Sequence, residues 1–128
     1  MAGELVLIIE DNDTNMRLVK KVLEFRGYRT SGARTAEEGI ALAVEQRPAV
    51  ILMDLQLPGM DGAAALLRLR AEPETSGIPV LALTALALKQ DRDRFAAVGF
   101  DAYLTKPVDV NELSEQVRRF CEPDGPAR

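Results

Sequence analysis

The sequence predicts an α/β fold: a doubly wound, parallel, five-stranded sheet with five helices. Three observations carry this. Short apolar runs alternate five times with segments of helical pattern. Most of the runs are continuous rather than alternating, as in strands buried on both faces. The links are short, so each strand–helix–strand unit makes a right-handed crossover and neighbouring strands run parallel.

Leu5–Ile9 is the first strand, apolar throughout. A helix over about 14–26 follows, with Leu18, Val22 and Phe25 on one stripe and Gly27 as its stop. Residues 28–33 make a shorter, more polar strand, as suits a sheet edge. Thr35 and Glu38 have capping-box spacing and open a second helix running to about Gln46. Pro48 separates it from the strand at 50–53. The loop Leu57-Pro58-Gly59-Met60-Asp61-Gly62 is dense in turn formers. Residues 63–71, rich in Ala, Leu and Arg, form a third helix. A loop over 72–77 leads to a fourth strand at 79–83, then a fourth helix at about 89–98 closed by Gly99. Ala102–Thr105 is the fifth strand. Asp109 and Glu112 open a fifth helix, where Val110, Leu113, Val117 and Phe120 keep a 3-4-3 spacing. Five such units fit the flavodoxin-like strand order 2-1-3-4-5, whose ligand crevice lies at the carboxyl ends of strands one and three. Residues 1–128 are read as one domain, with a core at about 4–121 and a flexible tail at 122–128.

Composition narrows the function classes. The net charge is −4, and Arg68, Arg70, Arg118 and Arg119 fall at helical spacing as solvated faces, so no concentrated basic surface for nucleic acid is expected. No apolar run reaches the ~20 residues that span a bilayer, so membrane insertion is not expected. The start leads directly into the first strand with no signal peptide, and the one cysteine, Cys121, has no internal disulfide partner. Both point to the cytoplasm. The sequence has no histidine, so any metal here is a hard ion held by oxygen.

The chemistry collects at strand ends. The first strand ends in Glu10-Asp11, the third in Asp54, the fourth in Thr84 and the fifth in Lys106-Pro107. In the expected sheet these groups converge. Carboxylates that close raise one another's pKa or recruit a cation. Mg²⁺ suits such a crevice, because it keeps several waters and takes one or two carboxylates plus a phosphate. Asp11 and Asp54 are the expected direct ligands, the backbone carbonyl of Gln56 a third, and Glu10 a ligand through water. Helix capping is an alternative role for an acid at the first strand end, but not for Asp54, which a loop follows. Lys106 precedes a proline and is therefore extended, able to reach the carboxylates; the Lys106–Pro107 peptide is a candidate for the cis form.

Four segments in register carry a resemblance: Ile8-Ile9-Glu10-Asp11-Asn12, the stretch from Ile51 through Asp54 to Gly62, Ala82-Leu83-Thr84-Ala85, and Tyr103-Leu104-Thr105-Lys106-Pro107. Over about residues 4–121 the chain resembles a response-regulator receiver domain of bacterial two-component signalling, most like single-domain regulators or hybrid-kinase receivers. The resemblance implies a phosphorylation-dependent switch in which Asp54 accepts a phosphoryl group from a histidine kinase or histidine phosphotransfer protein. It implies Mg²⁺, with Mn²⁺ able to substitute, held by Asp11, Asp54 and the Gln56 carbonyl with Glu10 in support. Lys106 and Thr84 would bind phosphoryl oxygens, and Tyr103 would swing inward as Thr84 moves. Such a protein is not an enzyme toward other molecules; it catalyses only its own phosphorylation and dephosphorylation.

One departure concerns the residues flanking the phosphoryl group, Gln56 and Leu86. Leu86 is apolar where many members are polar, and either shields the acyl phosphate and lengthens its lifetime or packs at a partner surface. Leu86 and Leu88, with Tyr103 and the outer face of the fifth helix, are the expected response face toward a downstream protein. Two other readings compete. Asp11-Asn12-Asp13-Thr14 is similar, over a short stretch, to the start of haloacid-dehalogenase-type phosphatases, whose phosphorylated residue would be Asp11. A flavin or nucleotide binder shares the fold, but the chain has no Gly-x-Gly-x-x-Gly or Walker loop.

Overall fold

The computed structural model describes residues 3–57, 59–85 and 99–121. In chain order these residues form β1 (Leu5–Ile9), α1 (Asp13–Phe25), β2 (Arg29–Ala33), α2 (Ala36–Gln46), β3 (Val50–Asp54), α3 (Gly62–Ala71), β4 (Val80–Thr84), β5 (Ala102–Thr105) and a C-terminal helix (Val110–Cys121). The expected helix at 89–98, the tail at 122–128, Leu86, Leu88 and Pro58 lie outside the described residues.

All five strands join one sheet in the order β2-β1-β3-β4-β5, and every pairing is parallel. That is the flavodoxin-like order expected from the alternation. β2 stands at an edge and is the most polar strand, whereas β3 and β4 are buried along their whole length. Alternate residues of the central strands feed two cores. Leu7, Ile9, Ile51, Met53 and Ala82 pack against α2 and α3. Val6, Ile8, Leu52, Leu81 and Leu83 pack against α1 and the C-terminal helix.

Local chemistry explains the helix ends. Asn12 caps α1, accepting from Asn15 N at 2.9 Å. Thr35 caps α2 through Glu38 N at 3.1 Å; the Glu38 carboxylate turns back to Arg34 N, one residue before the cap of an ideal capping box. Asp61, within the turn-rich loop at 57–62, caps α3 by accepting from Ala63 N at 2.6 Å. Asp109 accepts from Glu112 N and opens the C-terminal helix as expected. In α2, Gly39 is required: a Cβ there would stand 2.3 Å from Ile9 Cδ1, so only glycine lets the helix sit this close to β1.

Several expectations are corrected. α1 buries Val19 and Leu23, while Leu18 and Phe25 are exposed. The helix carries two adjacent apolar rows, and only 19/23 faces the sheet, with Val22 at the margin. Val110 is likewise exposed, outside the buried Leu113–Val117 row of its helix. Asp54 and Thr84 are the last residues of their strands rather than residues beyond them. Arg70 is no solvated residue. It donates to Ile78 O at 2.6 Å and to Asp101 Oδ2 at 3.0 Å, and Asp101 Oδ2 also accepts from Val80 N, which ties α3 to the starts of β4 and β5.

Candidate functional site: the acidic crevice

The register of the sheet assembles the site. Ile9 is level with Met53, so Glu10 and Asp54 leave adjacent strands side by side. Thr84 is level with Thr105, which places Lys106 one residue beyond Thr84 at the same end of the sheet. Leu55 N donates to Leu83 O and Lys106 N to Thr84 O, so the ladder continues past the strand ends and holds these residues firmly.

Glu10 and Asp54 are almost entirely buried, at 1% and 2% exposure, whereas Asp11 is exposed at the mouth. One carboxylate oxygen from each of the three lies within 4.8 Å of the others. Lys106 Nζ stands 2.8 Å from Asp54 Oδ2 and 3.0 Å from Glu10 Oε1. The other oxygens meet backbone: Asp54 Oδ1 accepts from Gln56 N at 2.9 Å, and Glu10 Oε2 accepts from Asn12 N at 3.1 Å. Glu10 Oε1 has charge contact with Lys106 at 3.0 Å but, among the described residues, no donor in good hydrogen-bond geometry, so a buried lone pair remains for a further partner. Because Asn12 is the α1 cap, Asp11 is left for another role. The Lys106–Pro107 peptide is cis.

The electrostatics follow from burial and pairing. Burial raises the pKa of Glu10, the Asn12 N–H opposes it, neighbouring Asp54 raises it again and Lys106 lowers it; the net shift is upward. For Lys106, burial acts to lower the pKa, but its hydrogen bond and ion pairing with the Asp54 and Glu10 carboxylates outweigh it and the ammonium is held charged. Three carboxylates against one ammonium leave the crevice negative. An all-oxygen donor set, a spare buried lone pair and an exposed third carboxylate fit a hard divalent cation; imidazole and thiolate are absent from the cluster. Among the described residues this is the group of acidic side chains that could hold a metal.

Thr84 is buried at the end of β4. Tyr103 lies on β5, packed against the α2/α3 core and edge-to-face with Phe100 at 5.9 Å. Its hydroxyl is buried without a hydrogen-bond partner among the described residues, and burial raises its pKa. Glu10, Asp11, Asp54 and Lys106 are thus brought together, with Gln56 joined through its backbone N–H. Leu86 lies outside the described residues.

Comparison with known proteins agrees with this geometry. The family profile of the response regulator receiver domain matches residues 6–118. The polar-differentiation response regulator DivK of Brucella anthropi is 40% identical over 115 residues, covering 90% of this chain and 94% of the relative. The receiver domain of sensor histidine kinase PA1611 from Pseudomonas aeruginosa, a structure with a magnesium ion coordinated in its active-site cleft, has a TM-score of 0.86 at 35% identity, covering 94% and 98%. Chemotaxis response regulator CheY4 of Vibrio cholerae has a TM-score of 0.85 at 28% identity, covering 94% and 98%. Neither the phosphatase nor the flavin reading is favoured by these matches. No helix among the described residues is long and apolar enough to cross a membrane. The chain belongs to the response regulator receiver domain family, the phosphorylation-dependent signalling switch of two-component systems.

Proposed function

We propose that Asp54 is the phosphoacceptor of this receiver. A carboxylate oxygen of Asp54 attacks the phosphorus of a phosphohistidine on a histidine kinase or histidine phosphotransfer protein. The P–O bond forms as the P–N bond breaks, and the imidazole leaves with the bond's electron pair. The observation that carries this is the Lys106 ammonium 2.8 Å from Asp54 Oδ2, beside a second buried carboxylate. That placement suits positioning and charge neutralisation, which is most of what phosphoryl transfer asks of a protein. Lys106 then pairs with a phosphoryl oxygen and the Thr84 hydroxyl donates to another.

Asp11, Asp54 and the Gln56 carbonyl would hold Mg²⁺, with Mn²⁺ as a substitute and Glu10 acting through a water. When bound, the cation neutralises charge on the phosphoryl oxygens. Tyr103 is the switch residue: its unpartnered buried hydroxyl makes the inward ring costly, so a change at Thr84 can bias it. The response surface would comprise the Tyr103 side of β5 and the outer face of the C-terminal helix, with Leu86 and Leu88. Gln56 and Leu86 would set the lifetime of the acyl phosphate, tested by comparing phosphate loss in Leu86→Glu with wild type; equal rates exclude the Leu86 part. The chain acts as one domain over about 4–121, in the cytoplasm, and has no catalytic turnover beyond its own phosphorylation and dephosphorylation.

The test is incubation with acetyl phosphate and Mg²⁺ followed by intact mass. One added phosphoryl group, absent in Asp54→Ala, is expected. An added group that persists in Asp54→Ala and disappears in Asp11→Ala would instead favour the phosphatase reading.

A further inference from the structure

A cavity of about 530 Å³ lies at the amino ends of the strands, between the β2 edge and the carboxyl end of α2. Leu5, Arg29 and Ala49 form a transverse row of its lining: Leu5 is level with Arg29, and Ala49 N donates to Leu5 O at 2.8 Å. Gln46 and Arg47 close it from the helix side. The acidic crevice is at the other end of the sheet, roughly 16 Å away along β1 from Leu5 to Glu10 at about 3.3 Å per residue. The lining holds two guanidinium groups and no carboxylate, in a chain whose net charge is −4.

Both arginines are placed rather than scattered. Arg29 Nε donates to Gly3 O at 2.7 Å, which fixes the guanidinium plane and leaves its terminal nitrogens without a partner among the described residues. Arg47 is the C-cap of α2 and sits in the left-handed region at φ 48°, directly before Pro48, where glycine or asparagine is the less costly residue. Its side chain has no ion pair or hydrogen bond among the described residues. A cation there also answers the helix dipole, but that use requires neither Arg29 nor a cavity. Ser31 shares the Arg29 face of β2, the face on which Ala33 packs into the α2/α3 core. Thr30 sends its hydroxyl the other way, to Glu24 of α1, but lines the cavity as well. Because Arg29 N is spent on Glu4 O, the parallel ladder directs the Thr30 N–H away from β1, over the open edge.

We infer that this cavity binds an organic phosphate of about mononucleotide size, its phosphoryl group held between Arg29 and Arg47. Two guanidinium groups match the charge of a phosphomonoester dianion and its bidentate geometry, whereas a single carboxylate would answer only one of them. The volume falls in the usual range for small-molecule sites, about 300–1,000 Å³, and leaves room for a body beyond the phosphate. Leu5 and Ala49 offer that body apolar contact; the Ser31 hydroxyl, the Gln46 amide and the Thr30 N–H offer it polar edges.

The test is isothermal titration calorimetry of the intact protein in EDTA, so that the crevice holds no cation to attract phosphate. The probes are AMP, ribose 5-phosphate, adenosine and inorganic phosphate. AMP or ribose 5-phosphate should bind at least tenfold more tightly than adenosine, which lacks the dianion, and than inorganic phosphate, which lacks the body. Affinity should fall as salt rises. Arg29→Gln and Arg47→Gly should each weaken binding about tenfold or more. Glycine suits the left-handed backbone, so Arg47→Gly should melt no lower than wild type, and its loss of binding cannot be laid to misfolding. Amide NMR shifts on adding the bound probe should centre on Thr30, Ser31, Gln46 and Ala49, not on Asp11, Gln56 or Lys106. The proposal is overturned if neither organic phosphate binds at millimolar concentration, if inorganic phosphate or adenosine binds as tightly, if the arginine substitutions change nothing, or if the shifts fall at the crevice. It is equally overturned if a Glu-rich extended peptide binds more tightly than either organic phosphate, which would make the β2 edge a strand-pairing surface. No part of the titration involves Asp54 or Mg²⁺, so its failure leaves the phosphoacceptor reading untouched.

Discussion

Lys106 Nζ lies 2.8 Å from Asp54 Oδ2 across 52 residues of sequence, and it is the described cation in contact with that buried carboxylate. Removing it leaves Asp54 and Glu10 buried side by side without compensation. Lys106→Met should therefore destabilise the metal-free protein by about 2–4 kcal/mol, and saturating Mg²⁺ should recover more stability than it adds to wild type. Thermal melts of both proteins with and without Mg²⁺ decide this. Equal Mg²⁺ increments would show that the ammonium and the metal do not answer the same charge.

The Gly39 position makes a steric prediction at the neighbouring helix. A Cβ would fall 2.3 Å from Ile9 Cδ1 and 2.6 Å from Ile9 Cγ1, so the buried Ile9 side chain would have to shift within the core. Gly39→Ala should cost about 1–3 kcal/mol despite alanine's better helix propensity. Pairing it with Ile9→Val, which shortens the obstructing side chain, should restore part of the loss. Denaturant melts of the four proteins give the coupling, and additive effects would contradict the contact.

Arg70 and Asp101 form the clamp at the opposite end of the sheet from the crevice. Each is partly buried, and Asp101 Oδ2 also accepts from Val80 N at 2.8 Å. Arg70→Ala and Asp101→Ala should each destabilise by about 1–3 kcal/mol, with a double-mutant coupling on the order of 1 kcal/mol. Asp101→Ala should be the worse of the two, because it also leaves the Val80 N–H without its acceptor. The reverse order, measured in urea, would contradict that account.

Cys121 predicts a pH profile. Burial, aided by Glu4, pushes its thiol up to about 11. The thiolate is the reactive form, and a raised pKa keeps it scarce until the pH approaches that value. At pH 8 iodoacetamide should therefore modify native protein about 100-fold more slowly than denatured protein, with the native rate climbing roughly tenfold per pH unit above that. A native rate equal to the denatured rate at pH 8 would place the sulfur in water.

How far the sequence carries the reader differs by scale. The strand runs are continuous stretches such as Leu5–Ile9, whose burial on both faces leaves little ambiguity, and the alternation with helices dictates the parallel order. The crevice was legible for the same reason: Glu10, Asp54, Thr84 and Lys106 all terminate apolar runs, and parallel strands bring such ends together. The face of α1 was not legible, because Leu18–Phe25 and Val19–Leu23 are both plausible rows and only packing against the sheet selects between them. The spacing of Arg70 on α3 resembles that of an exposed position, and its acceptors, Ile78 O and Asp101, lie 8 and 31 residues away, beyond what helical periodicity reveals. The Asp61 cap sat unnoticed in a turn-rich loop, where Asp has several uses.

The position of Lys106 has a consequence for synthesis on the ribosome. Glu10 follows β1 and Asp54 ends β3, but the ammonium that compensates them sits just past β5, the last strand made. At about 5–20 residues per second, the 52-residue gap corresponds to roughly 3–10 s during which β1 and β3 exist without it. During that interval, docking β3 against β1 drives two carboxylates together with no internal counter-charge. The nascent sheet therefore has a reason to stay loose at this edge until the fifth strand arrives, and cellular divalent cations are the species able to relieve it sooner.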